Sequence, residues 1–275
     1  MTNINPWKYA QADTDVEKNP YLNPKKPATA PTQSPAPTVT SLDDFLIFKN
    51  IVCVGADNNI LEQYPELKVR KDIFRDQNGG RVNHTPYDWI VDCERNGLFL
   101  PSFALSCNIV AAAYKNKNYS DVNALLQQYK NHGAGHGYHA QNTIINYATQ
   151  EVIHYPTAAD FNQTAAVNTA FQRKCNSFTK ASLQSSLLED ALKDASHVRY
   201  VKQLTGLSNP ADLVEIGKYF GRPARLWFPW NGQAGATFND KRSAWLGCVG
   251  DNFNLVGDSS LYDYSAVRGV RSSSS

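Results

Sequence analysis

The stretch that decides the architecture lies near the end of the chain, where residues 245–271 read W-L-G-C-V-G-D-N-F-N-L-V-G-D-S-S-L-Y-D-Y-S-A-V-R-G-V-R. Three isolated large apolar residues, Phe253, Leu255 and Leu261, interrupt runs of Asn, Asp, Ser, Gly, Tyr and Val. A core strand would carry more apolar residues, and a solvated surface would carry more Lys and Glu. The pattern is typical of a polar loop between short strands, or of a contact surface in which Tyr supplies area and Ser, Gly and Asn supply hydrogen bonds.

The residues of this stretch also share a property of their codons. Lys, Glu, Gln, Met and Trp cannot be reached from an Asn codon by changing only its adenines, and none of them occurs between positions 249 and 265. This composition favours the contact surface over the plain loop. The candidate variable residues, each of which can be reached in this way, are Val249, Gly250, Asp251, Asn252, Asn254, Val256, Gly257, Asp258, Ser259, Ser260, Tyr262, Asp263, Tyr264 and Ser265.

The stretch and its flanks, R-S-A-W-L-G-C before it and A-V-R-G-V-R after it, resemble the variable region of proteins diversified by retroelements. In that family an error-prone reverse transcriptase mutates template adenines, and the varied residues lie on the ligand-binding face of a C-type lectin-like domain. The resemblance implies a non-enzymatic protein, without a cofactor, that binds a protein or cell-surface ligand through the fourteen residues named above. Phe253, Leu255 and Leu261 would be buried pins, and Trp230 and Trp245 would flank the contact.

The order of predicted elements indicates an α+β domain over residues 42–271, after an extended Pro-rich arm over 1–41 and before a Ser tail over 272–275. The order of elements in the first half resembles the opening of C-type lectin-like domains of the formylglycine-generating type. It runs from a helix through G-L-F-L-P-S to a second predicted helical region and then to N-T-I-I-N-Y. Such domains have short twisted antiparallel strands and flanking helices. The expected local signals are a strand or hairpin arm after Leu42, a turn at 57–59, a helix from Thr85-Pro86 to Asn96-Gly97, and helices capped by Ser102 and Ser120.

The second half of the sequence predicts a loop over 158–179, one amphipathic helix from Leu183 to Leu204, and another helix from Asn209-Pro210 to Gly221. The terminal sheet should begin within residues 222–232, where Trp227, Phe228 and Trp230 lie so close together that one of them could line the binding face. Residues 266–271 should form a closing strand that buries Val267 and Val270 and leaves Arg268 and Arg271 exposed or ion-paired.

Charge and composition exclude several classes of function. A formal charge of +2 with 19% charged residues gives no clustered basic face, so nucleic acid is not an expected partner. We find no secretory signal and no run long enough to cross a bilayer, which predicts a cytoplasmic or virion-associated protein, such as a phage tail component. The five cysteines include no C-x-x-C pair and are expected to be reduced and mostly buried. The Pro-rich arm could dock onto a partner subunit, and the last two helices could serve a homo-oligomer contact.

A competing interpretation comes from N-H-G-A-G-H-G-Y-H, residues 131–139, in which His132, His136 and His139 lie close together. Imidazoles at this spacing could bind zinc in a metal-dependent enzyme on a formylglycine-generating-like scaffold. The intervening glycines disfavour the helix that would align the histidines, and no Asp, Glu or Cys is adjacent, so the sequence predicts no metal site. A structural particle protein without a ligand site is the third hypothesis.

Overall fold

A computed structural model describes residues 36–131, 138–146, 151–156, 186–227, 241–259 and 267–272. In these ranges the chain forms a mixed α+β structure with two mostly antiparallel sheets, which confirms the expected fold class at that level. The helices are α1 (Pro86–Arg95), α2 (Phe103–Lys115), α3 (Ser120–Asn131), α4 (Leu188–Ala191), α5 (Ala195–Thr205) and α6 (Asp212–Phe220). The strands are β1 (Thr38–Leu42), β2 (Phe45–Val54), β3 (Ile60–Arg70), β4 (Tyr138–Asn146), β5 (Glu151–His154), β6 (Ser186–Leu187), β7 (Ala224–Trp227), β8 (Lys241–Val249), β9 (Asn252–Ser259) and β10 (Val270–Ser272).

The first sheet has the strand order β1-β2-β3-β10. The expected hairpin is present, because β2 and β3 pair antiparallel across a turn in which Asn58 has a φ of 58°. The boundary predicted between residues 41 and 42 is wrong: Thr38 pairs with Lys49, so residues 38–41 belong to β1 rather than to the arm. The β-branched residues of T-V-T favour this extended pairing.

The second sheet has the order β5-β4-β8-β9-β7-β6, with β7 parallel to β9 and antiparallel to β6. One face of it packs on the helices through Leu246, Cys248, Phe253 and Leu255, all of which are fully buried. We call this the helix-packed face. Helix α2 lies between the two sheets and contacts β2 on one side and β8 on the other, so a single core spans both sheets.

Local capping signals explain where several helices begin and end. The Thr85 side chain accepts a hydrogen bond from the Asp88 N–H at 3.2 Å, and Ser102 accepts one from Leu105 at 2.9 Å, as predicted. Gly221 ends α6 with a φ of 69°, as predicted. Ser120 is the first residue of α3 rather than the residue before it. None of the described helices is both long and apolar enough to cross a lipid bilayer.

The single helix predicted from Leu183 to Leu204 is wrong. Leu187 instead pairs with Arg225 of β7, and a second helix starts where the Asp194 carbonyl accepts the Val198 N–H at 2.9 Å. Leu188, Val201 and Leu204 are buried in the observed arrangement, as they would be in a single helix, so their spacing did not reveal the break. The predicted loop at 158–179 lies outside the described residues.

Val267 and Val270 are buried, as predicted, but the closing strand begins only at Val270, which pairs with Val69. The prediction for Arg268 is wrong, because its side chain is buried and donates hydrogen bonds to the Arg70 carbonyl and to the Gln128 amide oxygen. Burial lowers the pKa of Arg268. The segment that contains Arg268 lies between β3 and α3. A side chain that points away from Val267 and Val270 is therefore also buried against protein.

The thiols that the structure describes agree with the expectation of reduced, buried cysteines. Cys53, Cys93, Cys107 and Cys248 are buried and form no disulfide within the described part of the chain, while Cys175 lies outside it. Burial raises the pKa of Cys93 and Cys107, and it raises the pKa of Cys248 to about 11. These thiols therefore stay protonated near neutral pH and have little nucleophilic character.

A buried carboxylate joins β3, α2 and the end of β5. Glu62, only 4% exposed, accepts hydrogen bonds from the hydroxyls of Ser102 at 2.5 Å, Tyr64 at 3.0 Å and Tyr155 at 2.7 Å. Tyr155 has a φ of 54°, a left-handed conformation that is costly for a residue with a Cβ. Burial, the Tyr155 hydroxyl and the Glu62 carboxylate together raise the pKa of Tyr64.

Replacing Glu62 with Ala should lower the free energy of unfolding by about 2–3 kcal/mol, because the buried Ser102 hydroxyl and the partly buried hydroxyls of Tyr64 and Tyr155 lose their acceptor. Glu66→Ala, on the same strand, is the matched control. Its 3.9 Å ion pair with Lys49 is partly solvent-exposed, so a loss within about 1 kcal/mol is expected. Urea denaturation measures both values, and equal losses would contradict the role assigned to Glu62.

Gly206→Ala should destabilise the fold by about 3 kcal/mol. Gly206 has a φ of 61°, and an added Cβ would lie 2.7 Å from the Ala104 Cβ and 2.9 Å from the Cys53 Cβ. Gly221→Ala is the control, because its φ is also positive but its surroundings are open, so about 1 kcal/mol is expected. Thermal unfolding of both variants separates backbone strain from the steric clash, and similar losses would argue against close packing at Gly206.

Candidate functional site

The first part of the candidate variable stretch forms the hairpin of β8 and β9. Gly250 has a φ of 56° and Asp251 is exposed, and these two residues make the turn between half-buried Val249 and Asn252. The backbone of Asp258 and Ser259 continues β9. The remaining predicted contact residues, Ser260, Tyr262, Asp263, Tyr264 and Ser265, lie outside the described residues, as does Trp230.

The structure describes two of the three apolar residues predicted as buried pins, and both are buried. Phe253 and Leu255 are fully buried, and the Phe253 ring packs edge-on against Phe220 of α6 with the ring centroids 5.3 Å apart. These contacts hold β9 against α6 on the helix-packed face of the sheet. Leu261, the third predicted pin, lies outside the described residues.

The expectation that side chains between the pins face outward is wrong at three positions. Asn254 is 2% exposed, Val256 is 4% exposed, and Gly257 is also buried. A Cβ at Gly257 would lie 2.5 Å from the Ile145 Cδ1, so this residue packs closely on β4. Free exchange of these residues would therefore disturb packing, unlike exchange at the turn.

The other face of β7, β8 and β9, which we call the second face, carries the partly exposed residues of the candidate site. Alternation along the paired strands places Arg225, Trp227, Asn252, Asn254 and Val249 on it, opposite the helix-packed residues. The described helices that contribute core residues against these strands do so through the helix-packed face. Trp245 is also on the second face, across from Val256, but it is only 7% exposed.

A Trp–Asn hydrogen bond fixes the centre of the second face. The Trp227 Nε1 donates to the Asn254 Oδ1 at 2.6 Å, and the Asn254 amide nitrogen is 3.4 Å from the Val249 carbonyl oxygen. Asn254 is thus a support beneath the site rather than a contact residue. Trp227 is half-buried, which is consistent with the expectation that one of the three clustered aromatic residues lines this face; Phe228 lies outside the described residues.

Arg225 was not identified from the sequence. Its guanidinium carbon lies 5.9 Å from the centre of the Trp227 ring, within the range of a weak cation–π contact, and its side chain is half-buried. The alternation of Ala224 and Leu226, both buried, with Arg225 and Trp227 is the signal that would have placed the arginine and the tryptophan on one face.

The predicted contact residues that the structure describes are spread along the whole length of β9. Strand β9 runs from Asn252 to Ser259, and at about 3.3 Å per residue its ends are roughly 23 Å apart. The turn at Gly250 and Asp251 is therefore at the opposite end of β9 from the point where residues 260–265 begin. Pairing places the end of β7, at Trp227, beside Val256, towards this second end of β9.

His139 and His154 are both buried and contact neighbouring residues. His139 is buried and stacks on Tyr129 with a centroid distance of 4.4 Å. His154 is 2.9 Å from both the Thr143 hydroxyl, through Nδ1, and the Gln203 carbonyl, through Nε2. His132 and His136 lie outside the described residues. Within the described ranges, no group of three or more His, Cys, Asp or Glu side chains is placed to hold a metal ion.

Comparisons of the chain with protein-family models, with curated proteins and with solved structures gave no match.

Substitution tolerance should differ sharply within the candidate stretch. Asn254→Ala should lower the free energy of unfolding by about 1–2 kcal/mol, because the Trp227 N–H loses its acceptor. Val256→Asp should cost more than about 2 kcal/mol, since it buries a charge. Asp251→Ala, at the exposed turn, should stay within about 0.5 kcal/mol.

Chemical denaturation of the three variants measures this order. The result expected from a fully exposed variable stretch is three values within about 0.5 kcal/mol of the wild type. That result would contradict the burial of Asn254 and Val256.

Proposed function

We propose that this protein is a non-enzymatic ligand-binding protein whose contact surface is the second face together with the Gly250-Asp251 turn. The observation that carries the proposal is the half-buried Trp227, supported by Asn254 and accompanied by Arg225. Trp and Arg are the residue types that most often dominate binding energy when they lie on a preorganised surface. The ligand would be a protein or a cell-surface molecule.

The division of roles within β9 supports this proposal. Phe253 and Leu255 anchor the strand in the core, and Asn254 holds the indole of Trp227 in one orientation. Because the anchors are buried, residues at the exposed turn can change without altering the core. A rigid scaffold with exchangeable turn residues is the arrangement that a diversified binding protein needs.

We further propose that the domain is C-type lectin-like and that retroelement-driven adenine mutagenesis diversifies it. The pairing of the C-terminal β10 with β3, and the position of the candidate stretch in β8 and β9, two adjacent strands at the centre of the second sheet, are compatible with that proposal. Under this proposal, Val249, Asp251 and Asn252 are variable contact residues, whereas Asn254, Val256 and Gly257 tolerate only substitutions that keep the packing. A phage tail or virion component remains the proposed setting.

A display experiment tests the binding surface. A library that randomises Arg225, Val249, Asp251 and Asn252 should yield binders to an immobilised protein such as lysozyme. Trp227→Ala should then weaken each binder by about tenfold or more, because it removes the central anchor. Surface display level, which reports folding, should remain high.

A matched library at exposed positions outside the second face controls for chance binding. It randomises Glu189 in α4, Lys193 in the turn after α4, and Glu215 and Lys218 in α6. Equal recovery of binders from both libraries, or binders unaffected by Trp227→Ala, would count against the second face.

Genomic DNA tests the diversification mechanism separately. We expect an adenine-rich imperfect copy of the segment encoding residues 245–271 beside a reverse transcriptase gene. In closely related genomes, codons 249–252 should vary more than codons 253–257. Uniform variation across both sets, with no such copy nearby, would refute the mechanism while leaving ligand binding open to the display test.

A further inference from the structure

One face of the first sheet points away from α2, and we call it the outer face. On the opposite face Phe48, Cys53 and Leu67 are buried in the core that includes α2. Strand pairing and alternation place the intervening residues on the outer face. Over the length of β1, the outer face contains Thr38, Thr40, Leu42, Phe45, Ile47, Lys49, Glu66, Lys68, Arg70 and Arg271.

Apolar side chains occupy the half of the outer face that β1 and β2 form. Leu42 is 46% exposed and pairs with Phe45, and half-buried Ile47 pairs with exposed Thr40. Phe45 also packs against the small cluster around Trp89, so one end of this half is joined to the rest of the protein. Exposed apolar area beside polar residues is a common feature of interaction surfaces.

Cationic side chains occupy the other half of the outer face, which β3 and β10 form. Lys68 and Arg271 are direct partners in the antiparallel ladder, and Arg70 lies two residues from Lys68 on the same face. Like charges directly opposite each other destabilise a pair of strands. The free protein therefore carries a repulsion that an anionic partner relieves. Because Lys68 and Arg271 lie far apart in the sequence, charge along the chain did not reveal this cluster.

The carboxylates that the structure describes do not neutralise these cations. Lys49, at the far end of the same face, lies 3.9 Å from the Glu66 carboxylate. In contrast, no described carboxylate lies within ion-pair distance of Lys68, Arg70 or Arg271. The β3–β10 half of the outer face therefore has a net positive charge.

Aromatic rings hold the two arginines in position. The guanidinium carbons of Arg70 and Arg271 lie 4.6 Å and 4.5 Å from the centres of the Phe74 and Phe45 rings. The guanidinium N–H groups can still donate to a carboxylate. The Phe45 ring, however, is covered by Arg271 and is not free to stack on a nucleic-acid base.

We propose that the outer face binds an acidic amphipathic helix of a partner protein. The apolar stripe of that helix contacts Leu42 and Ile47, and the carboxylates along one flank bind Lys68, Arg70 and Arg271. The boundary between the two halves runs along β2 and β3, which have 10 and 11 residues. At about 3.3 Å per residue these strands are roughly 33 Å long, the length of a helix of about 20 residues.

This proposal is independent of ligand binding by the second face. The outer face and the second face belong to different sheets, and α2 packs between those sheets. Because charge pairs contribute to the contact, the affinity for the acidic helix should fall as the salt concentration rises. Trp227→Ala, which tests the second face, should leave binding to the outer face unchanged.

Fluorescence anisotropy with the full chain and a labelled synthetic peptide tests the proposal. The probe is a peptide of about 18 residues built from Glu, Ala and Leu, with Leu at helical spacing. It should bind the wild type about tenfold or more tightly than the same peptide with every Glu replaced by Lys. Lys68→Glu should weaken binding about tenfold or more, whereas Lys218→Glu on α6, with the same charge change, should weaken it less than about twofold.

Thermal unfolding of the variants separates lost binding from lost structure. Lys68→Glu places a carboxylate directly opposite Arg271, so its melting temperature should rise by about 1–3 °C. A variant that is more stable than the wild type and yet binds less tightly has lost the contact rather than the fold. A melting temperature lowered by Lys68→Glu would contradict the like-charge repulsion on which the proposal rests.

The binding measurements can overturn the proposal in three ways. The first is equal affinity for the Glu and Lys peptides. The second is an affinity for the Glu peptide that Lys68→Glu leaves unchanged or that Lys218→Glu lowers equally. The third is tighter binding of oligothymidylate, or of vesicles of phosphatidylserine and phosphatidylcholine, in competition with the Glu peptide, which would assign the face to a nucleic acid or a membrane instead.

Discussion

Burial of the Glu62 carboxylate is the constraint on which the arrangement of the two sheets depends. Its oxygens are satisfied by hydroxyls from β3, from the residue preceding α2 and from the residue following β5. Ser102 serves twice, because it donates to Glu62 and accepts from the Leu105 N–H at the start of α2. A buried charge without these donors would be costly, so the helix, the first sheet and the edge of the second sheet must assemble together.

The same logic separates support from contact in the candidate site. Asn254 and Trp227 form one hydrogen-bonded unit across β9 and β7, and Phe253 and Leu255 anchor that unit to the helices. What remains for recognition is the exposed part of the indole, the neighbouring Arg225 and the turn. A binding surface built on paired strands is more rigid than one built on a free loop, which reduces the entropy lost on binding.

The layered architecture separates the candidate binding surface from the first sheet. The first sheet contains the C-terminal strand β10, whereas the second face belongs to the sheet that contains the candidate variable stretch. Helix α2 fills the space between them with small residues, including Ala111 to Ala113, so that both sheets pack closely on it.

The sequence alone determined features whose causes lie within a few residues: the caps at Thr85 and Ser102, the end of α6 at Gly221 and the hairpin of β2 and β3. It also identified Phe253 and Leu255 as anchors, because an isolated large apolar residue in a polar run has few alternatives to burial. Only the tertiary structure decided which of the other residues in 249–259 are buried, that Arg268 is buried, and that the helix predicted over 183–204 is interrupted. These outcomes depend on which distant strand or helix covers each face, and neither composition nor local periodicity encodes that choice.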